Sequence, residues 1–240
     1  MKILIPTKLD KAAAATLRAT GYDVVQDDST PLSEQIVAHP DTVGLIVRSE
    51  KVTAEIIDAL PSLKVIIRAG AGYDNIDYVY ARSKDIDVMN TPGANSNGVA
   101  EEVVAMMLAA SRHVVAGGIS TRAGLWEKKK FMGVELRNKT LGVIGMGRIG
   151  SQVVNRCKAF GMDAMAYDPY LPEEVAKQMG VDLTDLDTVL KNSDFITIHV
   201  PLTPETKHSI STEQFDLMKD TAYIVNCARG GIIDEDALYD

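Results

Sequence analysis

The feature that most constrains this chain is a glycine pattern that directly follows a run of aliphatic residues. Gly145-Met-Gly147-Arg-Ile-Gly150 comes after the run Leu141–Ile144 and begins a helical pattern that extends to about Phe160. In such a strand–turn–helix unit the first glycine permits the tight turn, the second lets the backbone approach a pyrophosphate, and the third lets helix and strand pack closely. Free N–H groups at the helix start attract phosphate charge. The pattern therefore predicts a dinucleotide site.

An acidic residue follows the next predicted strand. Asp168 comes 23 residues after Gly145, where the ribose-binding acid of this kind of site is expected. A 2′-phosphate at about 4 Å from its carboxylate would be repelled by roughly 1–4 kcal/mol, so the sequence favours NAD over NADP. One alternative remains open, in which the glycines mark an ordinary tight turn and Asp168 only begins a turn with Pro169.

Short aliphatic runs alternate with helical patterns along the whole chain. This alternation predicts an α/β fold with parallel sheets buried on both faces. A helix of about twenty residues, from Gly98 to roughly Gly117, is expected after the turn formers of Asn90–Asn95. We place the domain boundary at this helix, which gives domains 1–97 and 98–240.

Composition excludes several classes of protein. The net charge of −8 disfavours nucleic acid as a partner, and the longest apolar runs are far shorter than the ~20 residues of a membrane span. The apolar stretch within Met1–Pro6 is too short for the core of a secretory signal, so none is expected there. The two cysteines, Cys157 and Cys227, lie far apart and indicate free thiols in a reducing cytoplasm. The histidine spacing predicts no metal site.

Two later strand ends carry groups with chemical potential. His199 is the histidine best placed to act as a base, although a histidine there is more often a structural hydrogen-bonding group. Arg229 could hold a carboxylate and polarise a carbonyl oxygen, because guanidinium binds such groups through two parallel hydrogen bonds. An ion pair of Arg229 with Asp234 or Glu235 is an equally good interpretation.

Strand ends in the first half carry positive charge and small residues. Arg48-Ser49 follows one strand, and Arg68 is followed by the loop Gly70-Ala71-Gly72. Accessible N–H groups in such loops can hold a carboxylate or phosphate, so these residues are candidates for a small-anion site. A glycine turn and surface arginines are the alternative.

Taken together, the motifs resemble the NAD-dependent D-2-hydroxyacid dehydrogenases over nearly the whole chain. The segments that carry the resemblance are Leu45–Ser49, Leu63–Asp77, Asn90–Ser96, Val99–Glu102, Leu141–Gly150, His199–Thr203 and Asn226–Gly231. Trp126–Gly133 and the Asn-Cys-Ala-Arg segment resemble the phosphoglycerate dehydrogenase branch of that family.

The resemblance implies two doubly wound parallel-sheet domains, a flavodoxin-like substrate domain followed by a Rossmann domain that lacks its last strands. With the fingerprint and strand-end residues, the predicted NAD-binding set is Gly145, Gly147, Arg148, Ile149, Gly150, Asp168, His199, Val200, Pro201, Cys227, Ala228 and Arg229. The predicted substrate-binding set is Arg48, Ser49, Arg68, Gly70, Ala71, Gly72 and Asn95. Arg229 becomes the catalytic arginine, and His199 a neighbour of the cofactor rather than the base.

The implied activity is oxidation of D-3-phosphoglycerate by NAD, the first step of serine biosynthesis, in a homodimer or higher homo-oligomer. Alternatives are a glyoxylate, hydroxypyruvate or D-lactate type of reductase and, more distantly, a non-catalytic NAD-responsive protein of the corepressor type. The family's catalytic glutamate and histidine are expected beyond Asp240, so the chain as given is expected to be inactive.

Overall fold

The computed structural model describes all 240 residues, which form two units, Met1–Asn95 and Ser96–Asp240. The elements of the first unit are β1 (Lys2–Ile5), α1 (Lys11–Ala19), β2 (Asp23–Gln26), α2 (Leu32–Ala38), β3 (Thr42–Val47), α3 (Ala54–Asp58), β4 (Val65–Arg68), α4 (Tyr78–Ser83) and β5 (Asp87–Asn90).

The first unit is a five-stranded parallel sheet in the order β2-β1-β3-β4-β5. This is the flavodoxin-like order, and ligands of such sheets bind beyond the carboxyl ends of the strands. The central strands are almost wholly buried, with Leu4, Leu45 and Ile66 at zero exposure, because helices cover both faces. Helix α1 begins at an aspartate cap, in which the carboxylate of Asp10 accepts a hydrogen bond from the amide of Ala12 at 2.8 Å.

The second unit contains α5 (Ser96–Ser111), α6 (Val114–Arg122), a 3-10 helix (Lys128–Phe131), β6 (Thr140–Ile144), α7 (Arg148–Ala159), β7 (Asp163–Tyr167), α8 (Glu173–Gln178), β8 (Asp182–Leu183), α9 (Leu186–Asn192), β9 (Phe195–Ile198), α10 (Thr212–Phe215), β10 (Tyr223–Asn226) and α11 (Glu235–Tyr239). Its sheet is parallel and runs β10-β9-β6-β7-β8. With β6 numbered as strand 1 and the sheet read from β8 to β10, this is the Rossmann order 3-2-1-4-5. The predicted α/β architecture of two doubly wound sheets is confirmed.

Four aliphatic runs predict strands in the second unit, and the structure has five; the runs are Leu141–Ile144, Ala164–Tyr167, Phe195–His199 and Tyr223–Val225. The additional strand, β8, has only two residues and pairs with Met165 and Ala166 of β7. In the first unit the runs Ile3–Ile5, Leu45–Val47 and Val65–Ile67 predict three strands, so β2 and β5 were not expected. Their sequences, Asp-Val-Val-Gln and Asp-Val-Met-Asn, lack the aliphatic run of a central strand, because each lies at a sheet edge.

The prediction of a single long helix from Gly98 to Gly117 is wrong, because α5 ends at Ser111 and a second helix, α6, begins at Val114. His113 has a left-handed backbone (φ 53°), and α5 and α6 meet at an angle of 61°. The amide of Val134 donates to the carbonyl of Ser111 at 2.9 Å, so a distant segment satisfies the end of α5. No single helix has the length and apolar character needed to cross a membrane, and only α5 and α6 counted together as a bent pair do.

Candidate cofactor and anion sites

The strand–helix junction between β6 and α7 is built around three glycines with different surroundings. Gly145 has φ +95°, and a Cβ there would lie 2.9 Å from the carbonyl oxygen of His199. A Cβ on Gly150 would lie 2.2 Å from the carbonyl oxygen of Gly145. A Cβ on Gly147 would meet no atom within 4 Å. Gly145 and Gly150 therefore permit close packing, whereas Gly147 leaves open space at the start of the helix.

That open space lies at the start of α7, a helix of 12 residues. Its N-cap residue is Gly147, which has no side chain, so the N–H groups of the first helical turn have no side-chain cap. Arg148 is exposed and Ile149 is half-buried at this end of the helix. An uncapped helix start with open space above it fits a pyrophosphate, because its N–H groups and the helix dipole favour negative charge.

Asp168 links the next strand to this loop. One carboxylate oxygen accepts a hydrogen bond from the amide of Met146 at 2.8 Å, and the other accepts one from the amide of Tyr170 at 2.9 Å. The bond to Met146 places the acid beside the glycine loop. The bond to Tyr170 closes the turn at Pro169 that the sequence offered as the alternative role of Asp168. Each oxygen retains a lone pair, so the carboxylate can still accept a hydrogen bond from a ribose hydroxyl.

His199 follows β9 and is half-buried against the glycine loop. Its amide donates to the carbonyl of Ile144 at 2.7 Å, and its Nε2 lies 2.9 Å from the hydroxyl of Thr197. Burial lowers the pKa of the imidazole to about 4, and Nδ1 is buried without a hydrogen-bond partner. The ring is therefore neutral at pH 7 and its basicity is weak. Of the next two residues, Val200 packs at Gly145 and Pro201 is exposed.

The loop after β10 carries Cys227, Ala228 and Arg229, all half-buried. Asn226 holds this loop at both ends, because its side chain donates to the carbonyl of Arg229 at 2.8 Å and accepts from the amide of Ala228 at 3.0 Å. Sequence reasoning missed this role. The signal was available, since asparagine at the end of a strand commonly bonds the backbone of a following turn.

The two thiols differ in their surroundings. Cys157 is fully buried in α7, and burial raises the pKa of its thiol to about 11. Cys227 is half-buried and lies 3.5 Å from the sulfur of Met106, and burial also raises the pKa of its thiol. Both are free cysteines.

In the first unit, the ends of β3, β4 and β5 come together at one edge of the sheet. Arg68 Nε donates to the carbonyl of Arg48 at 3.1 Å, and its guanidinium lies over Gly70. The side chain of Asn90 donates to the carbonyl of Ala71 at 2.7 Å, which ties the loop of Gly70 to Gly72 to β5. The structure thus brings together the Arg68 side chain, the backbone of Arg48 and a loop of small residues, while Nη1 of Arg48 lies 3.4 Å from the carbonyl oxygen of Lys8.

A carboxylate that sequence reasoning overlooked lies at the same edge. Glu50 Oε2 accepts hydrogen bonds from the amides of Arg48 and Ser49, at 2.8 and 3.1 Å. Asn95, also predicted to bind substrate, is exposed at the last position of this unit. No three side chains of histidine, cysteine, aspartate or glutamate lie together as ligands for a metal ion.

Comparison with known proteins finds relatives that match the whole chain. Residues 104–240 match the family model described as the D-isomer specific 2-hydroxyacid dehydrogenase, NAD binding domain. The chain is 50% identical over 242 aligned positions to D-3-phosphoglycerate dehydrogenase of Methanocaldococcus jannaschii, which covers 100% of this chain and 46% of that protein. It is 47% identical to hydroxypyruvate reductase of Thermotoga maritima, over 100% of this chain and 78% of that protein.

A solved structure of a protein from Thermus thermophilus superposes on the chain with a TM-score of 0.88 and 34% identity, covering 99% of this chain and 77% of that one. Two of the similar phosphoglycerate dehydrogenases, those of Methanocaldococcus jannaschii and Archaeoglobus fulgidus, are much longer. The chain spans 46% of the length of each.

Proposed function

Because this chain belongs to the D-isomer specific 2-hydroxyacid dehydrogenases, we propose that the whole protein oxidises D-3-phosphoglycerate to 3-phosphohydroxypyruvate with NAD. Residues 104–240 form the NAD-binding domain of that family. In the proposed reaction the C2 hydroxyl loses its proton to a base and C2 loses a hydride, so that a keto acid remains. NAD, when bound, supplies the hydride acceptor.

The cofactor would be held at the start of α7. The observation that supports this position is the open space at Gly147 above an uncapped helix start, with the carboxylate of Asp168 beside the loop. The pyrophosphate would bind the first helical N–H groups, and Asp168 would accept a ribose hydroxyl. The complete proposed set is Gly145, Gly147, Arg148, Ile149, Gly150, Asp168, His199, Val200, Pro201, Cys227, Ala228 and Arg229.

The substrate anion would be held by the first unit, which we propose is the substrate-binding domain. The hydrogen bond from Arg68 to the backbone carbonyl of Arg48 supports this proposal, because it holds the Arg68 guanidinium at the end of β3. A phosphorylated acid has more negative charge to neutralise than a simple hydroxy acid. The complete proposed set is Arg48, Ser49, Arg68, Gly70, Ala71, Gly72 and Asn95.

Arg229 would orient the substrate carboxylate and polarise the C2 oxygen, and we propose it as the catalytic arginine. Asn226 is a positioning residue for it, since it fixes the backbone on both sides of Arg229. We do not assign the base to His199. A neutral imidazole whose pKa is lowered to about 4 would accept the hydroxyl proton poorly at pH 7.

Hydroxypyruvate reduction is the second candidate function. It is supported by the Thermotoga maritima relative, of which the chain covers a larger share than of the phosphoglycerate dehydrogenases. The two candidates differ in their need for phosphate, because only a phosphorylated substrate gains from two arginines at the edge of the first sheet.

We also propose that the protein is a homodimer through the second unit. An apolar surface on α6 and the segment after it is exposed, with Ile119 at 65% and Trp126 at 87%. Surfaces of this kind commonly mark an interface. Ile119→Glu is expected to shift the sedimentation coefficient to that of a monomer, and an unchanged value would contradict the proposal.

The activity is tested by NADH formation from D-3-phosphoglycerate and D-glycerate by the whole protein. We expect the phosphorylated acid to have the higher kcat/KM, and Arg68→Ala to reduce that preference by raising KM for the phosphorylated acid alone. Equal activity with both acids would favour the second candidate. Bound NADH without turnover of any 2-hydroxy acid or 2-keto acid would contradict both.

A further inference from the structure

The anion site proposed for the first unit already holds a carboxylate of the chain itself. Glu50 Oε2 accepts hydrogen bonds from the backbone amides of Arg48 and Ser49. These two successive N–H groups therefore share one carboxylate oxygen as their acceptor. We propose that Glu50 is an internal competitor, which must release these two amides before a phosphate or carboxylate of the substrate can bind them. The inference rests on the proposed function of this edge of the sheet.

The carboxylate is a good substitute for a substrate anion. Both present anionic oxygens to N–H donors, and hydrogen bonds to an ionised acceptor are about twice as strong as neutral ones. Arg48 and Ser49 are exposed, and Glu50 is half-buried, so an anion from solvent can reach the same donors. The negative charge of Glu50 also offsets part of the positive charge of Arg48 and Arg68, which weakens attraction of a second anion.

The backbone of this segment does not depend on the Glu50 carboxylate. Asn75 holds it from the other side, because its side chain donates to the carbonyl of Glu50 at 2.7 Å and its carbonyl accepts the amide of Val52 at 2.9 Å. A parallel bridge joins Val52 to Ile76. The carbonyl of Arg48 is bonded to Arg68 as well. The Glu50 side chain can therefore swing away while the two amides stay where they are.

This arrangement predicts a specific gain of function on substitution. Glu50→Gln keeps the size of the side chain and removes its charge, so its bonds to the amides become neutral and weaker. We expect the variant to bind anions about ten-fold more tightly than the unmodified chain, a difference equivalent to ~1.4 kcal/mol. Glu50→Asp keeps the charge but is one methylene shorter, so it cannot hold the same bonds without moving the backbone.

The test is a titration with inorganic phosphate, followed by the amide resonances of the 240-residue chain in two-dimensional NMR. We expect the Arg48 and Ser49 resonances to shift in each protein, with the dissociation constant about ten-fold lower for Glu50→Gln and intermediate for Glu50→Asp. The matched control is Glu34→Gln, which removes one negative charge from an exposed position in α2 and should leave the constant unchanged.

The outcomes separate this inference from the proposed function. If phosphate shifts Arg48 and Ser49 with the same constant in the unmodified chain and in both Glu50 variants, the site exists and Glu50 is no competitor. An equal gain in Glu34→Gln would mean that only overall charge matters, which also overturns the inference. If phosphate shifts neither amide in any of the proteins, the anion site is itself wrong, whereas NADH binding would still report on the cofactor site.

Discussion

Replacing Gly147 by alanine should remove cofactor binding and leave the fold intact. The backbone of Gly147 has φ −69° and ψ −158°, which any residue can adopt, and the added Cβ meets no atom within 4 Å. Folding should therefore be neutral or gain about 0.4–1 kcal/mol, because alanine restricts the unfolded chain. The methyl group would occupy the space above the first N–H groups of α7, where the pyrophosphate is proposed to lie.

We expect the dissociation constant of NADH to rise by about ten- to a hundred-fold, equivalent to ~1.4–2.8 kcal/mol. The assay pairs NADH fluorescence titration with urea unfolding of the same samples. Gly118→Ala is the matched control, since its Cβ also meets no atom within 4 Å but lies in α6. That variant should keep the affinity of the unmodified chain.

The third glycine of the loop should behave in the opposite way. Gly150→Ala forces a Cβ to within 2.2 Å of the carbonyl oxygen of Gly145, so the helix must move away from the strand. We expect the free energy of unfolding to fall by about 1–3 kcal/mol, the usual cost of overpacking.

Unchanged NADH affinity in Gly147→Ala would refute the reasoning, because it would place the pyrophosphate elsewhere.

Three further predictions concern single side chains. Asp168→Asn removes the charge that accepts two backbone amides and should cost about 1–3 kcal/mol of stability, measured by urea unfolding, and also weaken NADH binding. In the folded chain a thiol reagent at about pH 8 should modify Cys227 slowly and Cys157 not at all, because burial raises both pKa values and Cys157 is inaccessible. His199 binds fewer protons in the folded than in the unfolded chain between its folded pKa of about 4 and its usual 6.5. The free energy of unfolding should therefore fall as pH drops through this window, by up to about 3 kcal/mol, and His199→Gln should lose that slope.

The central strands and the glycine loop were predictable because their signals are local. A buried parallel strand needs an unbroken aliphatic run, and the tight turn into α7 needs glycine at Gly145, where φ is +95°. The same local logic predicted that Asp168 follows β7 next to the loop. Its bond to the amide of Met146 is a consequence of the two strands being adjacent, which the order of the motifs implied.

The errors arose where distant segments decide the local structure. The break after Ser111 is fixed by Val134 from more than twenty positions away, and no glycine or proline marks it in the sequence. The two-residue strand β8 exists only because β7 lies beside it. Glu50 was overlooked because a glutamate next to an arginine and a serine is usually a solvated charge, and only the bend after β3 turns its carboxylate back onto the amides.

The most direct test of the central claim is an NADH titration of the 240-residue chain, observed through its amide resonances. We expect the largest shifts at Arg148, Ile149 and Gly150 at the start of α7, further shifts at Asp168, and weaker binding of NADPH. Binding that leaves these amides unmoved, or no binding at concentrations that saturate other NAD-dependent dehydrogenases, would contradict the proposed cofactor site.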